Sequence, residues 1–168
     1  MSKPLMVYEM ANNHMGDLPH GIATIRAIRE ACRGFEDEFD FAFKLQYRDL
    51  DTFIHAPARG RDDIKYVKRF EETRLSDEAF RALVAEMDAQ GFITVCTPFD
   101  ENSVSRIEAH GIHTIKIASC SLTDWPLLER IAQEAHTFGA LLQGQAAKEA
   151  FADFMEKRRP DFSACQAA

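Results

Sequence analysis

The sequence predicts an α/β protein with parallel strands. Two periods alternate along its 168 residues: short apolar runs, and segments whose apolar residues recur at helical spacing. The later runs begin near residues 92, 113, 138 and 161, a repeat of about 20–25 residues that suits one β/α unit. The runs are also apolar throughout, as strands are when helices cover both faces of their sheet.

Each element follows from its residues. "LMVYEM" at 5–10 predicts a first strand, and the segment after it sets Ile22, Ile25, Ile28, Ala31 and Cys32 on one helical face. "FDFAFKLQ" at 39–46 predicts a second strand, with Phe39, Phe41, Phe43 and Leu45 on one side and Ala42, Lys44 and Gln46 on the other. The polar stretch from Tyr47 to about Leu75, containing "HAPARGRDD", predicts an extended loop and a short helix. Ser76 is placed to cap a helix with Asp77 and Glu78 in its first turn and Phe80, Leu83, Val84 and Met87 inward, and Gly91 to stop it. "FITVC" at 92–96 predicts the third strand, a helix follows over about 101–109, and "HTIKIAS" at 113–119 predicts the fourth strand. Thr123 or Asp124 can cap a helix with Pro126 in its first turn and Leu127, Leu128, Ile131 and Ala135 inward. A weaker strand at about 138–142, a helix burying Ala147, Phe151, Phe154 and Met155, and the start of a sixth strand complete the expectation. An open doubly wound sheet suits this length, whereas a closed (β/α)8 barrel typically needs about 250 residues.

Composition narrows the function classes. A net charge of −7, with Lys and Arg scattered among Asp and Glu, offers no basic patch for phosphate backbones, so nucleic acid is not an expected partner. No apolar run approaches the roughly 20 residues of a membrane span, and "MSKPLMVYEM" lacks the apolar core of a signal peptide. Cys32, Cys96, Cys120 and Cys165 form no CxxC pair, and Cys96 and Cys120 are expected to pack as small hydrophobes. A reducing, cytoplasmic setting is expected.

Chemistry in parallel α/β folds gathers at the carboxyl ends of strands. Here those ends carry Glu9 with Asn12, Asn13 and His14, then Lys44 and Gln46, then Thr97, Pro98 and Phe99, then Lys116 and Ser119. Alternation sets Lys44 opposite Phe41 and Phe43, and Lys116 opposite Ile115 and Ile117. A lysine inside an apolar strand is costly to bury without an anionic partner, so two of them suggest a shared anion. Each group also has a plainer reading. A strand lysine commonly snorkels, Glu9 can neutralise a lysine structurally, His14 can be a loop hydrogen-bonder, and the two asparagines can be turn residues. His20, His55, His110, His113 and His136 lack ligand spacing and are assigned to surface or packing roles. Coincidence at four strand ends favours a site.

These motifs resemble those of the sialic acid synthase family, the NeuB-type barrels. "YEMANNHMGD" is similar to E-x-x-x-N-H-x-G, "FKLQ" to K-x-Q, "CTPFD" to T-P-F, and "IKIASCSLTDWPLLE" to K-I-x-S followed by an N/D-x-P-L-L turn. The resemblance implies an incomplete (β/α)8 TIM-type barrel of about five to six β/α units, one truncated domain over 1–168, matching best over 5–131 and diverged over 132–168. It implies metal-assisted condensation of phosphoenolpyruvate with an N-acetylated amino sugar of the N-acetylmannosamine type, giving a nonulosonic acid and phosphate. By the same resemblance Glu9 is catalytic, Asn13 and His14 shape the loop beneath the sugar, and Lys44, Thr97, Lys116 and Ser119 grip phosphoenolpyruvate. Gln46 and Phe99 would line the sugar side, and the cofactor would be Mn²⁺ or Mg²⁺.

The chain departs from the pattern at Ser121, where the family often has an acid, and at "FGALLQGQA", where it has a strand-five S-T-G/A motif. The H-C dipeptide, the later metal histidines and aspartate, and the antifreeze-like domain are also missing. Three expectations follow. The first is a synthase-type enzyme, truncated or diverged and inactive as this chain alone. The second is a non-catalytic, partner-dependent module keeping an anion site, with a second copy or another partner over its open sheet edges. The third, another phosphoenolpyruvate-using aldol-type synthase, is disfavoured by the N-H-x-G loop.

Overall fold

The computed structural model describes residues 3–134. Four strands, β1 (Leu5–Glu9), β2 (Asp40–Tyr47), β3 (Ile93–Pro98) and β4 (Thr114–Ile115), pair in parallel in the order β1-β2-β3-β4. Each strand lies beside its successor and the order never reverses, as in the wall of a TIM-type barrel and unlike a doubly wound sheet. Between the strands run α1 (Leu18–Ala31), α2 (Leu50–Phe53), α3 (Lys65–Glu72), α4 (Asp77–Ala89) and α5 (Glu101–Ala109), and α6 (Trp125–Glu134) comes after β4. The described residues are therefore α/β with a barrel-type parallel sheet, as the family resemblance implies, and not the open doubly wound sheet that the length suits. Two compact units divide the chain, residues 1–127 and 128–168. The first holds the sheet and α1–α5. The expected strands near 138 and 161 and the helix between them lie outside the described residues.

Strand β2 organises the first unit because its two faces differ in chemistry. Phe41, Phe43, Leu45 and Tyr47 turn outward into one apolar core with Ile25, Cys32, Phe80, Leu83, Val84, Met87, Phe92, Cys96 and Ile107. Ala42, Lys44 and Gln46 turn to the other face. The register places Lys44 between Glu9 and Val95, and Gln46 beside Thr97, so these side chains share that inner face.

Helix α4 behaves as its sequence dictates. The Ser76 hydroxyl accepts the Ala79 N–H at 3.1 Å, Asp77 and Glu78 complement the dipole, and all four predicted inward residues are buried. Gln90 ends it, and Gly91 follows at φ +75°. Helix α1 packs on α4 through Gly21, where an added Cβ would stand 2.8 Å from Leu83 Cδ2. Arg26 and Glu86 clasp the same pair of helices with bonds of 2.8 and 3.0 Å.

The structure corrects five expectations. Strand β4 has two residues rather than seven, because only Val95–Thr114 and Cys96–Ile115 pair before the chain turns into a 3₁₀ segment at Ser119–Ser121. Cys120 sits exposed in that turn instead of packing as a hydrophobe, while Cys96 is fully buried as expected. Ala31 is exposed because α1 ends there and Cys32 alone turns back to the core. The polar stretch holds α2, a 3₁₀ turn at Ala56–Ala58 and α3, wrapped around a small cluster of Leu50, Ile54 and Val67. Strand β3 starts and ends later than expected, so Thr97 and Pro98 belong to the strand and not to its exit.

Candidate active site

The inner face collects charge where β1, β2 and β3 end. Lys44 is buried, and its Nζ meets Glu9 Oε1 at 2.7 Å. Gln46 Nε2 donates to the same oxygen at 3.1 Å. Both bonds end on Oε1 and leave Oε2 out, and the Glu9 side chain is half exposed at 49%. Such a carboxylate is anchored yet open to a ligand. Thr97, one strand over from Gln46, is buried, and its Oγ1 has no hydrogen-bond partner. A buried, unpaired hydroxyl costs about 1–3 kcal/mol, which a ligand oxygen would relieve.

The structure thus brings Glu9, Lys44, Gln46 and Thr97 to one face. Lys116 lies one residue past the last paired position, and its N–H continues the ladder to the Cys96 carbonyl at 2.9 Å. Its side chain is exposed, as is Ser119, and neither bonds to the Glu9–Lys44 group. Phe99 follows β3, with its N–H on the Tyr47 carbonyl at 3.1 Å.

The loop after β1 folds under local constraints. Met10 N–H bonds the Lys44 carbonyl at 2.9 Å, fixing where the loop leaves the sheet. Asn13 is exposed, its Nδ2 reaching the Glu9 carbonyl at 3.5 Å. His14 is buried against Phe80, and its Nδ1 accepts the Gly16 N–H at 3.1 Å. Gly16 has φ +73°, and a Cβ there would lie 2.8 Å from the Glu72 carbonyl oxygen at the end of α3. The glycine of N-H-x-G is therefore required twice, by dihedral and by space.

Burial first, and the nearby His20 charge second, lower the His14 pKa to about 4 from 6.5. The unfolded chain then binds this proton more readily than the folded one. Stability from neutral His14 is fully present above about pH 6.5 and is lost as the pH falls towards 4. His14→Asn is expected to flatten the dependence of the urea midpoint on pH between those limits. Parallel curves for the two proteins would rule this assignment out.

Arg48 escapes a reading of the sequence, although its parity with Lys44 and Gln46 was a usable signal. Its Cζ stands 3.9 Å from the Phe99 ring centre, 4.5 Å from that of Phe70 and 6.0 Å from that of Phe53. One terminal nitrogen donates to Gln46 Oε1 at 2.8 Å, while the buried Nε has no partner. A cavity of about 30 Å³, room for a water molecule, is lined by Asn12, His14, Gln46, Arg48, Thr73 and Arg74 among others. His110, assigned to packing, is buried between Tyr47 Oη at 2.8 Å and Asp77 Oδ1 at 3.0 Å, on the outer side of the sheet. Cys96 is fully buried, and that burial pushes its thiol pKa up.

Among the described residues no three His, Cys, Asp or Glu side chains converge as metal ligands. Glu9 Oε1 meets Lys44 and Gln46, and His14 turns its Nδ1 to Gly16. No helix among the described residues is long and apolar enough to cross a membrane.

A successive parallel sheet with an ion pair and an orphaned hydroxyl at its carboxyl ends defines a barrel-type α/β protein with a polar inner face. The chain belongs to the NeuB family, whose family model matches residues 36–150. It is 71% identical to a protein of Chromobacterium violaceum described as spore coat polysaccharide biosynthesis protein E. The TM-score of that match is 0.75, over 78% of this chain and 38% of the other. The N-acetylneuraminic acid synthetase of Leptospira borgpetersenii, solved with citrate, shares the fold at 22% identity and a TM-score of 0.63, over 79% of this chain and 42% of the other. An uncharacterized protein of Methanocaldococcus jannaschii is 29% identical over 128 residues, 76% of this chain and 34% of the relative. The chain thus spans about a third of the length of that curated relative.

Proposed function

We propose that the chain carries the phosphoenolpyruvate end of a synthase site of carbohydrate biosynthesis. The reaction is condensation of phosphoenolpyruvate with an N-acetylated amino sugar of the N-acetylmannosamine type and release of phosphate, in the cytoplasm. The observation that carries this reading is the buried Lys44, paired with a half-exposed Glu9, beside the unpartnered Thr97 hydroxyl. A small anion entering there takes charge-assisted bonds from Lys44, gives Thr97 an acceptor, and frees Glu9 to orient or deprotonate the reacting group. Lys116 and Ser119, in the segment after β4, add donors, and Asn13 borders the sugar. The family membership and the polysaccharide-biosynthesis and synthetase neighbours support the same class.

For this chain by itself we propose binding without turnover. Among the described residues β1 is an edge strand with Leu5, Met6 and Val7 exposed, which favours a second reading, a module completed by a second copy or another partner along that edge. Calorimetric titration with phosphoenolpyruvate tests the first reading, and Lys116→Ala is expected to weaken binding about fivefold, the worth of one exposed charged donor. Equal affinities for wild type, Lys116→Ala and Lys44→Ala would end the anion-site assignment. Phosphate release dependent on both N-acetylmannosamine and metal would overturn the absence of turnover.

A further inference from the structure

We infer that Arg48 is the positioning residue that fixes which way the Gln46 amide faces, and through it the acceptor-sugar side of the site. The inference rests on the proposed function for its substrate and on the structure for its geometry. Gln46 stands between two groups of opposite hydrogen-bonding character. Glu9, as a carboxylate, only accepts, and it takes Gln46 Nε2 at 3.1 Å. Arg48 only donates, and it gives an N–H to Gln46 Oε1 at 2.8 Å. The amide therefore has one satisfied orientation, NH₂ towards Glu9 and oxygen towards Arg48. Turned over, it would set oxygen against carboxylate and NH₂ against guanidinium.

Arg48 can impose this because it is itself held. Its guanidinium lies on the Phe99 ring and beside Phe70 and Phe53, contacts from three separate segments. Its Nε is buried with no protein partner, and Arg48 lines the same small cavity as Asn12, His14 and Gln46. A planar cation fixed on rings, with one N–H spent on Gln46, acts as a stop for the amide. Lysine has neither the plane nor the fixed N–H, so charge alone does not replace it.

The test uses the full chain, ¹⁵N-labelled and free of ligand, with the Gln46 side-chain NH₂ signals assigned by their loss in Gln46→Glu. Hydrogen exchange of those protons is expected to quicken about tenfold in Arg48→Met and in Arg48→Lys, as expected when one charge-assisted bond is lost. Unchanged exchange in both variants would overturn the inference, as would recovery of slow exchange in Arg48→Lys. A second arm titrates wild type and Arg48→Lys with phosphoenolpyruvate and, in its presence, with N-acetylmannosamine. A selective loss for the sugar, about tenfold with phosphoenolpyruvate affinity kept, supports positioning. An equal loss for both ligands speaks against it. Wild-type chain that binds neither ligand removes the proposed function, while the exchange arm still decides the role of Arg48.

Discussion

Lys44→Met is expected to lower affinity for phosphoenolpyruvate about a hundredfold, the equivalent of about 2.7 kcal/mol. Lys44 is the buried cation of the inner face, and its ammonium is already desolvated and aimed by Glu9. A ligand anion joining that pair gains a charge-assisted bond in a poorly hydrated place, where such bonds are strongest. Folding should change far less. Methionine fills the volume of the lysine stem, and Glu9, half exposed, turns to water. A calorimetric titration beside a urea melt separates the two effects. A variant that binds as wild type does, or one that fails to fold, would show that the pair is structural.

Gly16→Ala is the second large effect, this time on stability. A left-handed backbone costs a residue with a Cβ about 1–2 kcal/mol. The new carbon would press on the Glu72 carbonyl oxygen at 2.8 Å, and backbone yields less readily than a side chain. An overpacking term of about 1–3 kcal/mol adds to the first. The total, about 2–5 kcal/mol, should appear as a lower urea midpoint with an unchanged slope. Gly34→Ala is the control: its φ is also positive, at +87°, but nothing lies within 4 Å of the added carbon. Equal losses in the two variants would mean that the contact with α3 contributes nothing.

Where sequence and structure agree, the cause is local. The period of two in β2, the Ser76 cap and the stripe of α4 are properties of neighbouring residues, and they survive folding unchanged. Glu9, Lys44, Gln46 and Thr97 were legible because strand ends and parity suffice to put them on one face. Strand four misled because Thr114-Ile115-Lys116-Ile117 alternates well, yet only two of its positions find partners on β3. Cys120 misled for the same reason, since apolar neighbours in sequence are not neighbours in a turn. Arg48 was missed because its meaning comes from Phe70 and Phe99, which only the fold brings to it.

The two-faced strand β2 has a consequence for how this protein can change over generations. Phe41, Phe43, Leu45 and Tyr47 belong to the core, and Lys44 and Gln46 to the chemistry. Point substitutions can touch one trade and spare the other, so the site can drift while the core stands still. A single-residue insertion or deletion cannot, for it exchanges the two sets at a stroke, sending the lysine into the phenylalanines. Lineages carrying such a protein should therefore record many replacements along this strand and no change in its length.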